Sequence, residues 1–223
     1  MNIKGAIFDM DGTIIDSLMF WDHLWQRIGE TYLQDPDFKP KVETDRAVRT
    51  MIFRDAMTYF HEQYNLQTPI DEFISFAEGD LSGFYKDVAK VKPGAKELLR
   101  YLKEGGVKMC LASATAKKDV LFALESHGLL EYFDTVLSCA DIGVGKDRPD
   151  IYLMALDTME LDACDVCVFE DSFVALRTAR ASGFKTVGVF DRYNFAQDIL
   201  RSESDIYLED GKPLDSLTKS IEL

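Results

Sequence analysis

The sequence predicts an α/β protein: a doubly wound parallel sheet carrying an inserted helical cap. Three observations predict it. Short apolar runs alternate with helical stripes through most of the chain. Residues 17–88 break the alternation with helical patterns alone. Acids, a hydroxyl and a lysine recur where the apolar runs stop.

The strand candidates come first. They are IKGAIFD (3–9), VKMCLAS (107–113), DTVLSC (134–139), VCVFE (166–170) and KTVGVF (185–190). Most are apolar at both alternating sets of positions, as strands covered on both faces must be. DIYL (205–208) reads as a further strand at an edge.

Helices connect them. After Pro93, Ala95, Leu98, Leu99 and Leu102 form a stripe that Gly105–Gly106 stops. Val120, Leu121 and Leu124 follow Ser113 and end at Gly128; Ala175, Leu176 and Ala179 follow Ser172 and end at Gly183. Strand–helix alternation implies right-handed βαβ units. In such sheets ligands bind beyond the carboxyl ends of the strands.

Residues 17–88 show three helical stripes with no strand among them. The first is Leu18, Trp21, Trp25, Ile28 and Tyr32; the second Val48, Met51 and Ile52; the third runs from Ile70 to Phe84. The expected division is a core of residues 1–16 and 89–223 and a cap of residues 17–88, lying over the end of the first strand. Trp21, Trp25 and Met19 are read as interior residues of that cap rather than pocket walls.

Composition narrows the function. Hydrophobic residues make up 47% of 223, ordinary for a globular chain. The formal net charge of −14 repels phosphodiester backbones and anionic membranes, so neither is an expected partner. No run is long enough to span a bilayer, and the N-terminus lacks signal-peptide features, so a cytoplasmic protein, expected as a monomer, is the reading. Cys164-x-x-Cys167 stands without a second pair at metal spacing and reads as two reduced thiols.

The strand ends carry the chemistry. The first ends at Asp9, with Asp11, Gly12 and Thr13 just beyond. The second ends at Ser113, followed by Ala114 and Thr115; GVGKDRPD after the third contains Lys146; the fourth ends at Glu170–Asp171. One crevice would then hold four carboxylates, a hydroxyl and a lysine, a set suited to a phosphoryl group. Asp9 and Asp171 can hold Mg²⁺, which relieves repulsion among the acids and neutralises phosphate charge. Lys146 adds a compact positive charge, while Ser113 and backbone N–H groups from Ala114 onward can donate to phosphate oxygens. Asp9 can attack phosphorus and form an aspartyl-phosphate. Asp11 can protonate the leaving oxygen and then take a proton from water.

These motifs, Asp9-Met10-Asp11-Gly12-Thr13, Ser113, Lys146 and Glu170–Asp171, make the chain resemble the haloacid dehalogenase (HAD) superfamily. The resemblance is to the phosphatase and β-phosphoglucomutase-like branch, which has a Rossmann-like core and a helical cap after the first motif. It implies Asp9 as nucleophile and Asp11 as acid/base. It also implies Mg²⁺ held by Asp9, the Asp11 backbone carbonyl and Asp171, with Glu170 supporting the metal through water. Asp16–Ser17 would mark the hinge into the cap. One departure is that many relatives place proline directly after the lysine, where this chain has Asp147 and then Arg148; Arg148 is read as solvated.

The leading expectation is therefore a Mg²⁺-dependent phosphatase acting on a small phosphorylated metabolite. The alternative is a β-phosphoglucomutase-like phosphoryl transferase, whose relatives carry a histidine early in the first cap helix. Here Trp21 occupies that position, with His23 two residues on. A dehalogenase would need no general acid and leaves Asp11 without a role. A non-catalytic phospho-ligand-binding module would not need all four motifs intact.

Overall fold

The computed structural model describes residues 1–222. In chain order, β1 (Gly5–Phe8) and a two-residue strand β2 (Ile15–Asp16) precede four cap helices: α1 (Phe20–Ile28), α2 (Val42–Val48), α3 (Phe53–Gln63) and α4 (Ile70–Asp87). The chain returns through β3 (Lys90–Val91), α5 (Ala95–Glu104), β4 (Lys108–Ser113), α6 (Lys117–Ser126), β5 (Thr135–Ser138) and α7 (Cys139–Ile142). It finishes with α8 (Asp150–Met159), β6 (Val166–Glu170), α9 (Phe173–Ala181), β7 (Lys185–Val189), α10 (Gln197–Glu203) and β8 (Ile206–Leu208).

Six strands form one parallel sheet in the order β5-β4-β1-β6-β7-β8. The strand order reverses direction beside β1, so the ends of β1 and β6 flank the crevice where doubly wound sheets bind ligands. All four residues of β1 are buried, because both faces are covered. Alternate positions serve the two faces. Ala6, Phe8, Met109, Leu111 and Phe169 join one core cluster, whereas Ile7, Cys110, Ala112, Val166 and Val168 join the other beneath α8. Phe8 stacks on Phe169 at 4.2 Å between ring centroids, fixing the register of β1 against β6.

The parallel sheet and its inserted helical cap are as the sequence predicts; three local readings of secondary structure change. Residues 15–16 and 90–91 were not expected as strands, yet they pair antiparallel as a ribbon at the entrance to and exit from the helical insertion. Two-residue strands leave no periodic signature. The stripe Val48–Met51–Ile52 is not one helix. The backbone tightens through Thr50 N–H to Ala47 and Met51 N–H to Val48, then extends at Ile52 (φ −60°, ψ 137°) before α3 begins. The first stripe also ends early: α1 stops at Ile28, and residues 29–33 widen into a π turn. Gly29 permits this, because a Cβ there would run into the Asp35 carbonyl.

The tryptophans divide. Trp25 is buried, stacks on Phe60 at 4.8 Å and donates its indole N–H to Asp45 at 2.7 Å. Trp21 is only half-buried and lines the main cavity, contrary to its reading as cap interior. Its ring centroid lies 5.5 Å from that of Trp25 and 6.0 Å from that of Phe53. Among the described residues, no helix is long and apolar enough to cross a membrane. All four cysteines are free thiols; Cys164 is exposed and Cys167 buried.

Candidate active site

A cavity of about 590 Å³ lies between the ends of the strands and the helical cap. Asp9, Asp11, Ala114, Lys146, Glu170 and Asp171 all line it. Ser113 does not. Its side chain is fully buried one residue below, where its Oγ accepts the Thr115 N–H at 3.0 Å and shapes the turn that presents Ala114 and Thr115.

Asp9 follows β1 directly, and its N–H donates to the Phe169 carbonyl at 3.0 Å, extending the sheet by one bond. Gly12 then adopts a positive φ of 83°. A Cβ at that position would collide with the Asp171 carboxylate, so glycine supplies both the turn and the room for Asp171. Two different electrostatic settings result for acids two residues apart.

Asp9 faces a cation. Lys146 Nζ forms ion pairs with Asp9 Oδ1 and, at 2.6 Å, with Glu170 Oε1. All three side chains are at most 9% exposed, so the pairing is largely dry. Burial alone would lower the lysine pKa; the Asp9 and Glu170 carboxylates outweigh it and hold the ammonium well above its usual range. Glu170 also accepts from Tyr152 Oη at 3.2 Å and from the Ser172 N–H at 3.3 Å. Burial, with a smaller contribution from Asp9, still pushes the Glu170 carboxyl up to about 7 against the pull of Lys146.

Asp11 faces hydroxyls. Oδ1 accepts from Ser17 Oγ and from Tyr85 Oη, each at 2.7 Å, and Oδ2 accepts from Thr115 Oγ1 at 2.9 Å. Burial is the larger cause and the Asp9 charge the second; together they raise its pKa, and the three hydroxyl donors only partly offset them.

Asp171 closes the group. Its carboxylate accepts from Thr13 Oγ1 at 3.1 Å and from Asn194 Nδ2 at 2.9 Å, both neutral donors. Burial first, then Asp9, Glu170 and Asp191, push its pKa well above the carboxylate range. Oxygen atoms of Asp9, Glu170 and Asp171 lie within 4.8 Å of one another. Three buried hard oxygen donors, one without a cation among its partners, are a donor set that fits a small divalent ion.

Several of these partners carry no sequence signal. Tyr85 belongs to the apolar stripe of α4 by period, and only the fold brings its hydroxyl to Asp11, 74 residues away. Asn194 sits in a turn-rich segment and reads as loop. Lys92, beside Pro93, is mostly buried. It donates to the Gly12 carbonyl and to the Phe190 carbonyl at 3.0 Å, and pairs with Asp191 at 2.9 Å. It therefore clamps the motif-one turn to the loop after β7. Arg148 is 64% exposed at its side chain and pairs with its neighbour Asp150, in keeping with the solvated reading.

A family model for haloacid dehalogenase-like hydrolases matches residues 3–183. The chain belongs to that family, and it is a hydrolase of the family's phosphatase kind. A phosphorylated carbohydrates phosphatase of Thermotoga maritima is 26% identical over 90% of this chain and 91% of its own length. A bifunctional riboflavin kinase/FMN phosphatase of Arabidopsis thaliana is 32% identical over 70% of this chain, a match that spans 42% of that longer protein. The crystal structure of CbbY from Rhodobacter sphaeroides in complex with phosphate superposes with a TM-score of 0.81 at 19% identity, covering 96% of each chain, a likeness of fold.

Proposed function

We propose that the chain is a Mg²⁺-dependent phosphatase that hydrolyses a small phosphomonoester through an aspartyl-phosphate on Asp9. One observation carries this reading: two aspartates, two residues apart, occupy opposite electrostatic settings. Asp9 is set against Lys146, whereas Asp11 is held only by hydroxyls and has its pKa raised. Acids held in such different settings divide nucleophilic and proton-transfer roles.

The steps follow from that division. An ionised Asp9 oxygen bonds to phosphorus as the ester P–O bond breaks. Protonated Asp11 gives its proton to the departing alkoxide, which leaves as the alcohol. Asp11, now ionised, takes a proton from water as that water attacks the acyl-phosphate. Phosphate leaves and free Asp9 is restored. In this reading the Ala114 backbone N–H receives phosphoryl oxygens together with Lys146. Asp9, Asp171 and the Asp11 carbonyl would hold Mg²⁺, with Glu170 behind them. When bound, the ion neutralises phosphoryl charge and the excess charge of the acids. Residues 17–88 form the cap unit of this reading and residues 1–16 with 89–223 its core. The free thiols support a reducing, cytoplasmic setting.

The phosphomutase alternative wants a histidine on the cap wall. Trp21 takes that wall, and His23 is turned outward to pair with Asp80 at 3.1 Å. Phosphate release from an aryl phosphate in the presence of Mg²⁺ tests the proposal. Asp11→Asn should lower kcat by about 10²–10⁴ on alkyl esters. An Asp11→Asn enzyme with undiminished turnover would remove the acid/base role. Faster isomerisation of β-glucose 1-phosphate than release of phosphate would favour the mutase.

A further inference from the structure

The wall opposite the catalytic aspartates is the part of the cavity the chemistry leaves unused. Trp21, Met51, Ile52, Phe53 and Leu81 line it from the cap, and Phe195 faces in from the loop after β7. Trp21 and Phe53 lie 6.0 Å apart between centroids, both half-buried. The break between α2 and α3 is what presents Met51 and Ile52, since they belong to neither helix.

Charge lining the cavity outside the catalytic group is already paired. Arg148 lines it from the core side and pairs with Asp150; on the cap wall the lining cation is Arg49. It pairs with Asp45 at 2.9 Å and Asp22 at 3.5 Å, and its guanidinium lies over the Trp21 ring at 5.8 Å. Asp55 lines the cavity from the same side. A second phosphate carried into this region would meet an arginine neutralised by two carboxylates and an additional acid. A flat apolar group would meet aromatic and aliphatic surface that is otherwise left against water.

We infer that this site selects phosphomonoesters whose leaving group carries an aromatic ring, over compact polyol phosphates and over bisphosphates. This rests on the phosphatase reading above and adds the class of alcohol released. The phosphoryl end sits among the carboxylates and Lys146, the ring against Trp21 and Phe53. Binding energy gained on the ring is then available to position the ester.

The test is kcat/KM with Mg²⁺ for propyl phosphate, 3-phenylpropyl phosphate, a hexose 6-phosphate and the matching hexose bisphosphate. The first two share leaving-group chemistry and differ by the ring. The phenylpropyl ester should exceed both propyl and hexose monophosphates by about tenfold or more, with the bisphosphate slowest. Trp21→Ala should reduce the phenylpropyl-to-propyl ratio by about tenfold. Met51→Lys, on a half-buried position beside the cavity, should raise the bisphosphate relative to the monophosphate by supplying an unpaired cation. Thermal melts of each variant establish that it is folded. Equal rates on propyl and phenylpropyl esters, or a preference for the hexose phosphates, would overturn this inference and leave the phosphatase reading standing. Hydrolysis of none of the four would overturn both.

Discussion

The Tyr85 hydroxyl donates to Asp11 Oδ1 at 2.7 Å, joining the cap helix α4 to the acid that follows β1. Ser17, at the start of the cap connection, donates to the same oxygen, and Thr115 of the core donates to the other. Asp11, the acid/base of the proposed mechanism, is therefore held by side chains from α4, from the segment after β2 and from the loop after β4 together. Its protonation is set by burial and Asp9 on one side and by three hydroxyls on the other.

Tyr85→Phe removes one donor that favours the ionised carboxylate. The Asp11 pKa should then rise further, and the basic limb of the kcat/KM profile should move to higher pH. Loss of a buried bond to a charged acceptor should also cost about 1.5–3 kcal/mol of stability. A pH–rate profile of the variant beside wild type checks the direction. An unmoved or lowered basic limb would show that the hydroxyl does not act on Asp11.

Lys146→Met leaves Asp9 and Glu170 buried without their cation. Breaking such a pair from one side costs about 3–5 kcal/mol, and chemical denaturation should find a loss of that order without metal. Added Mg²⁺ should recover part of it, because the ion supplies positive charge to the same acids. A variant as stable as wild type in metal-free buffer would contradict the electrostatic role given to this lysine.

Metal dependence should vary with pH in one direction. Glu170 sits at about 7 in the folded protein against an ordinary 4.5, so in metal-free protein its contribution to stability is full below about 4.5 and is lost as pH rises through about 7. Asp171 is shifted in the same direction. Mg²⁺ competes with protons for these oxygens, so its stabilisation should grow between about pH 5 and about pH 8. At a hundred times its dissociation constant it should contribute about 2.7 kcal/mol, or roughly 5–10 °C in Tm at the higher pH. Scanning fluorimetry with Mg²⁺ against EDTA measures this. Equal shifts at both pH values would count against a carboxylate metal site.

Much of the core was legible because its signals are local. Each strand of the parallel sheet is a short doubly apolar run, and Asp9, Glu170 and Asp171 stand at or one residue beyond the strand ends, so topology alone brings them to one crevice, which Lys146 enters from the loop after α7. The cap was legible only as helical. Its second stripe could not reveal that Met51 and Ile52 lie in a break, because the same apolar residues serve a helix face or a cavity wall equally well. Trp21 was misread for the same reason. Tyr85, Lys92 and Asn194 contribute long-range hydrogen bonds, and periodicity carries no record of a partner 74 residues away.

The central claim is that Asp9 carries the phosphoryl group. Acid quenching of the enzyme during turnover of a labelled phosphomonoester, followed by borohydride reduction and peptide mapping, tests it most directly. The result expected is label on the peptide spanning Ile7 to Ser17 before reduction, and after reduction the label released as phosphate with homoserine in place of Asp9. Rapid turnover with no labelled peptide, or label on a different side chain, would contradict it.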